Sequence, residues 1–429
     1  MQKPEKLICA GCTLLCDDIE IDSRADQWRP KNTCALGSQY FAQPSCPTQT
    51  HFIDGAVATL DQAVQAASQL LRQAKSPLIC GLDHLSTEAQ QASWKIADIT
   101  KATIDTTLTN HGRSSIFSLQ KIGKVTATLG EIKSRSDLIV FWFCDPETTH
   151  PRLLERIKSR DTDRPQRILV VGDRETATTK IANRFIHVPA ESASELLGHV
   201  RTQLALQSNS QPSESQTDDS TVIENTANEL TKELVEAKYG SIFFEQITEH
   251  SRFDLAGDSI SRLIRSLNDI TRFVSLKLRS DNNAQSAENV LAWSSGFPFA
   301  INHNLGHPRQ HGLEFSAESM LRNQQCDAIL FASNLSGDEV AERLSEPAQT
   351  HLQTIPRIAF STQAIEANVQ FQMGIPGINA AGEHCRIDNV SMPLKKAKPN
   401  DWISTEAILE MIRHDLTAQS KIKLRFNLT

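Results

Sequence analysis

Short apolar runs that end in turn-forming residues recur along this chain and limit what it can fold into. They are "PLICGL" (77–82), "DLIVFWFCDP" (137–146), "RILVVGD" (167–173), "RFIHVP" (184–189), "GSIFFEQI" (240–247), "RFVSLKLR" (272–279), "CDAILFASN" (326–334) and "PRIAFS" (356–361). Each has the length of a strand. Their apolar residues are nearly continuous, as in strands buried on both faces. Segments of helical period separate them, such as "DQAVQAASQLLRQA" (61–74) and "STEAQQASWKIADITKA" (86–102), the latter opened by Ser86 as a helix cap. Strands alternating with helices predict an α/β fold with doubly wound, mostly parallel sheets. Such sheets bind ligands beyond the carboxyl ends of their strands, where "GLD", "CDP", "VGD" and "ASN" stand.

A length of 429 residues exceeds what one core supports, so two or three domains are expected. The net charge of −7 argues against nucleic acid and anionic membranes as partners. The most apolar run, "LIVFWF" (138–143), is too short to span a bilayer, and "MQKPEKLICAGC" lacks the apolar stretch of a leader. A cytoplasmic protein is expected. Its nine cysteines are then better read as thiols and metal ligands than as a disulfide framework.

Four of them are clustered. Cys9, Cys12 and Cys16 fall in "ICAGCTLLCDDIEI" with spacing C-x2-C-x3-C, and Cys34 follows in "KNTCALG". Thiolates suit iron–sulfur clusters and zinc. Zinc sites more often pair two C-x2-C knuckles or use histidine, so this run favours a [4Fe–4S] cluster over zinc, and zinc over four idle thiols. Cys46, Cys80, Cys144, Cys326 and Cys385 are isolated and read as core residues. His303, His307 and His311 are spaced four apart, but Gly306, Pro308 and Gly312 break the helix that would align them, so they read as loop residues. Asp17 and Asp18 read as turn and strand-edge residues. The stretch "SNSQPSESQTDDS" (208–220) has no apolar residue and reads as a linker.

Four segments carry a resemblance that covers nearly the whole chain: "CAGCTLLCDDI", "NHGRSSIFSLQKIGKVTATLGEIKSRSDLIVFWFCDPETTHPR", "WSSGFPFAINHNLGHPRQHGLEF" and "GIPGINAAGEHCRIDNVSMPL". On these the chain resembles the B-subunit family of formylmethanofuran dehydrogenase, within the molybdopterin oxidoreductases, and its bacterial counterpart in the formyltransferase/hydrolase complex. The resemblance implies a small cysteine-rich N-terminal domain (1–52) and two doubly wound α/β lobes. The first lobe is discontinuous (53–112 and about 312–429), and the second spans 113–311. A C-terminal β-barrel lobe is lacking, being a separate polypeptide in that family.

In redox members of the family, tungsten or molybdenum is held between two pterin dinucleotides, and a cysteine followed by His-Gly completes the coordination. Carried onto this chain, His-Gly is His111-Gly112, and the residue before it is Asn110. A carboxamide is neutral and cannot be deprotonated at physiological pH, unlike a soft anionic thiolate. No cysteine lies between Cys80 and Cys144 to replace it. The resemblance therefore implies a degenerate pterin and metal site at Asn110 and Gly112, with tungsten, molybdenum and their bis-pterin dinucleotide absent. His111 and Arg309 occupy the family's catalytic positions.

The function so implied is a non-redox component of a complex that moves a formyl group between a methanofuran-like carrier and tetrahydromethanopterin and releases formate. Both steps belong to sister subunits. The partners so implied are amidohydrolase-like and formyltransferase chains and a chain like the family's C subunit. Two alternatives stand beside this reading, a working tungsten or molybdenum dehydrogenase component and a zinc-bound structural module.

Overall fold

A computed structural model of the chain describes residues 6–21, 30–43, 48–108, 114–159, 165–208, 222–245, 255–279, 282–398 and 400–426. They divide into two compact units, Met1–Asn110 with Asp281–Thr429, and His111–Ser280. Cys46 and all of the 208–220 stretch except Ser208 lie outside the described residues.

The first unit is built on a nine-stranded sheet. Its order is Arg309–Gln310, Ile301–Asn302, Thr103–Ile104, Pro77–Cys80, Ala328–Ser333, Arg357–Ser361, Val369–Gln372, His51–Ile53 and Ala56–Ala58. The five central strands are parallel, and the outer pairs on each side are antiparallel. Residues alternate faces along each strand. Ile79, Leu330 and Ala332 join one core with helices Leu60–Gln73, Thr87–Thr100 and Thr405–Phe426, while Leu78, Cys80, Ile329 and Phe331 join another with helix Ala317–Arg322. Both faces are therefore dry, as the apolar runs predict. Gly81 ends the Pro77–Cys80 strand at φ +73°, and a Cβ there would stand 2.2 Å from the Ala332 carbonyl oxygen. Only glycine supplies both that dihedral and that space.

The second unit carries a five-stranded, wholly parallel sheet in the order Arg184–His187, Arg167–Gly172, Leu138–Trp142, Tyr239–Phe244 and Arg272–Lys277. The chain starts in the middle, builds to one side, then crosses to the other. This is the doubly wound order, with its switch point between Leu138–Trp142 and Tyr239–Phe244. Leu138, Val140 and Trp142 pack in one core with helices on that face. Phe141 points to the other face and meets Phe243 with ring centroids 5.5 Å apart.

Two expected boundaries differ. The second lobe was expected to run to residue 311, but the chain re-enters the first unit at 281. Helix Ala284–Ser295 contacts helix Thr87–Thr100, and Ile301–Asn302 pairs with Thr103–Ile104, so 281–311 completes the first unit's core and sheet. The boundary at residue 52 cuts the strand His51–Ile53, and the cysteine-rich stretch belongs to the first unit despite its own three-stranded sheet of Lys6–Leu7, Ile19–Ile21 and Pro30–Lys31. The last helix of the chain spans Thr405–Phe426.

Candidate metal centre and a carboxylate-lined crevice

The four clustered cysteines are brought to one place. The Cys9 N–H donates to the Cys16 carbonyl at 2.9 Å, which folds 9–16 into a closed loop. Leu15 turns that loop in the left-handed region, at φ 44°. Cys34 stands at the start of helix Ala35–Ala42, and Gly37 in the first turn lies so close that a Cβ would be 3.2 Å from the Cys9 sulfur. A side chain at 37 would thus intrude on the thiol. The Gly11 N–H points at the same sulfur, 3.4 Å away. Burial pushes the Cys12 thiol up to about 12, and the nearby thiols of Cys16, Cys9 and Cys34 add to the shift. Cys9 and Cys16 are buried, Cys12 and Cys34 partly so. Among the described residues, no group of three or more His, Cys, Asp or Glu side chains could hold a metal ion.

In the second unit, a cavity of about 630 Å³ opens where the strands' carboxyl ends meet. It is lined by Phe143–Asp145 after Leu138–Trp142, Asp173 and Arg174 after Arg167–Gly172, and Glu245 after Tyr239–Phe244. The "CDP" and "VGD" turns expected to border a ligand site therefore do border one cavity. Its charge is mostly negative: Asp145, Asp173, Glu191 and Glu245 face Arg174 and His187. Asp145 draws its neighbours inward. Its Oδ1 accepts from the Thr178 N–H at 2.9 Å and the Thr178 hydroxyl at 2.5 Å, and its Oδ2 from Thr148 at 2.7 Å. Burial pushes the Asp145 carboxyl up, but these hydrogen bonds outweigh it and hold it below the usual carboxylate range. Glu147 and Glu245 are raised, first by burial and also by the Asp145 charge, with Lys277 opposing the rise at Glu245.

The remaining candidates divide. Asn110, His111 and Gly112 lie outside the described residues. Arg309 is committed locally: its Nη2 donates to Asn302 Oδ1 at 3.0 Å and Asn304 Oδ1 at 2.7 Å, and its guanidinium lies 5.3 Å from the centre of the Phe315 ring. No helix runs through His303, His307 and His311. His303 is buried, edge-on to Trp94 at 4.6 Å, with no hydrogen-bond partner on either ring nitrogen and Asp98 3.7 Å from Nδ1. Cys80, Cys144, Cys326 and Cys385 are buried. Thr178, which holds Asp145 without itself lining the crevice, is a residue that nothing in the sequence announces, being a buried threonine whose hydroxyl no motif marks.

No family model matches the chain. The B subunit of the tungsten-containing formylmethanofuran dehydrogenase 2 of Methanocaldococcus jannaschii is 28% identical over 444 residues, covering 95% of this chain and 97% of that protein. The chain's homologues are formylmethanofuran dehydrogenase B subunits and their Fhc counterpart. The Fhc B subunit of the formyltransferase/hydrolase complex of Methylorubrum extorquens is 24% identical over 294 residues, covering 66% of this chain and 74% of its own length. Among solved structures, the FhcABCD complex from the same organism, with methylofuran bound, contains a chain that superposes with a TM-score of 0.70 at 22% identity, over 86% of this chain and 99% of that one. Acetylene hydratase from Pelobacter acetylenicus superposes with a TM-score of 0.62 at 10% identity, over 96% of this chain and 69% of its own. The likeness to these structures is one of fold: mixed α/β with parallel sheets.

Proposed function

We infer that this chain is the B subunit of a formylmethanofuran dehydrogenase-like formyltransferase/hydrolase complex, structural in role, with a degenerate redox site. The observation that carries the reading is Asn110 directly before His111-Gly112. A neutral carboxamide does not fit a tungsten or molybdenum centre that needs an anionic donor. The crevice of the second unit supports the same reading. Its lining sets four carboxylates, Asp145, Asp173, Glu191 and Glu245, against Arg174 and His187, a balance of charge that disfavours a dinucleotide's anionic diphosphate. Formyl transfer and hydrolysis then belong to sister subunits, and this chain contributes architecture.

The four cysteines fit an iron–sulfur cluster by donor chemistry. Cys12 feels the thiols of Cys16, Cys9 and Cys34, as four ligands of one shared group would. When bound, a cluster supplies one-electron chemistry and four strong cross-links. With no redox centre to serve, the cross-links are what the fold uses: Cys9, Cys12 and Cys16 fix the loop, and Cys34 fixes the start of its helix.

A second reading, a working tungsten dehydrogenase component, is favoured by the full-length match to a tungsten-containing relative. One measurement separates them: metal analysis and viologen reduction on the anaerobically purified complex. The structural reading expects iron and sulfide without tungsten or molybdenum, and no dye reduction with formylated carrier. Stoichiometric tungsten or molybdenum together with dye reduction would overturn it.

A further inference from the structure

The cysteine site shares a wall with a second cavity. Tyr40, on the helix that Cys34 opens, donates its hydroxyl hydrogen bond to the Pro376 carbonyl. The same residue lies against the cysteine loop: a Cβ on Gly11 would stand 3.0 Å from the Tyr40 Cβ, and the hydroxyl is within electrostatic reach of Cys9. A second tie runs from the Ile387 N–H to the Thr13 carbonyl at 3.1 Å.

Residues 375–380 form a turn closed on itself. The Ile375 carbonyl accepts from the N–H groups of Ile378, Asn379 and Ala380, and Asn379 Oδ1 accepts from the Ile375 N–H at 2.6 Å. On its other side, Pro376 and Ala380 border a cavity of about 240 Å³ together with His84, Glu88, Ser404 and Glu406. One turn of backbone therefore stands between the four thiols and this cavity.

We propose that Tyr40 transmits occupancy of the four-cysteine site to the 375–380 turn, so that loading the site orders the turn and the cavity behind it. Binding Cys34 fixes the first turn of the helix, the helix fixes Tyr40, and Tyr40 holds the Pro376 carbonyl. Tyr40 is a positioning residue in this scheme. The inference rests on the reading that the cysteines bind a cluster.

The test is amide hydrogen exchange on the full chain in its complex, before and after cluster removal with ferricyanide and EDTA. Removal is expected to speed exchange at Ile378–Ala380 roughly three- to tenfold, the effect of one lost hydrogen bond. Tyr40→Phe, with iron and sulfide at wild-type levels, is expected to show the faster rate both loaded and stripped. Equal rates in loaded and stripped wild-type protein would overturn the coupling while leaving the cluster reading intact, as would a Tyr40→Phe variant that keeps the wild-type difference. Wild-type protein without iron would overturn the cluster reading and the coupling with it. If Tyr40→Phe does not fold, the wild-type comparison decides alone.

Discussion

Leu15 sits between Cys12 and Cys16 at φ 44° with its side chain buried, a backbone conformation that costs a branched residue on the order of 1 kcal/mol. A loop that keeps a leucine there is held by what surrounds it. Leu14 and Leu15 anchor it from within, and in the proposed cluster the four thiols would close it. Cys34→Ser removes one closing ligand while leaving an oxygen that can still cap the helix. We expect it to lose at least half of the bound iron and to lower the thermal midpoint, whereas Cys326→Ser, whose thiol is a core residue in the same unit, should leave the iron unchanged. Iron and acid-labile sulfide per chain check this; full iron in Cys34→Ser would remove Cys34 from the site. At Asp145 the reasoning concerns hydrogen bonds. Asp145→Ala strands Thr178, which is fully buried, and should cost about 1–3 kcal/mol in urea unfolding. It should also lower the pKa of Glu147, because the charge that helps to raise it is gone.

Elements place these residues, and their ends are where the placement is most fragile. At the end of Pro77–Cys80, Gly81→Ala would push a methyl into the Ala332 backbone at an unfavourable φ, and a loss of about 2–4 kcal/mol is expected in denaturant unfolding. Thr59→Ala would remove the capping box with Gln62 that starts helix Leu60–Gln73, for about 1 kcal/mol. The strands were legible in the sequence because burial on both faces leaves an unbroken apolar run, as at Leu138–Trp142. The Ser86 cap was legible too, and its hydroxyl accepts from the Ala89 N–H. The return into the first unit at 281 was not legible: Ile301–Asn302 and Arg309–Gln310 are two-residue strands, too short to show a period, and only pairing with Thr103–Ile104 reveals where they belong. Cysteine spacing marked four residues whose thiols the fold does bring near one another. The grip of Asp145 on Thr178 was not legible, because it joins residues 33 apart through ordinary polar side chains.

At the scale of the molecule, the buried histidines make acid the condition that tells the two units apart. Burial lowers His384 to about 4 and also lowers His303 and His51, all in the first unit. At His303 the Asp98 charge opposes the fall and Lys101 adds to it. In the second unit burial lowers His150 to about 4, against a hydrogen bond to the Arg279 carbonyl. A depressed folded pKa means that the unfolded chain takes the proton first. The stability these groups contribute is complete above pH 6.5 and lost as pH falls toward 4, by up to roughly 3 kcal/mol for each fully buried ring. Glu410, held low despite burial by Lys95 and Arg413, adds to the loss in the first unit below its ordinary value, as Asp145 does in the second. The second unit has an opposing contribution. Glu147 and Glu245 have raised pKa values, so the folded state binds their protons first and gains stability as pH falls through that range. Between pH 6 and 4.5 the first unit should therefore weaken before the second. Hydrogen exchange at stepped pH, corrected for the intrinsic rate, should show strands Ala328–Ser333 and Arg357–Ser361 losing protection at a higher pH than Leu138–Trp142 and Tyr239–Phe244. Simultaneous loss, or loss in the second sheet first, would mean that the buried histidines do not set the acid limit of this fold.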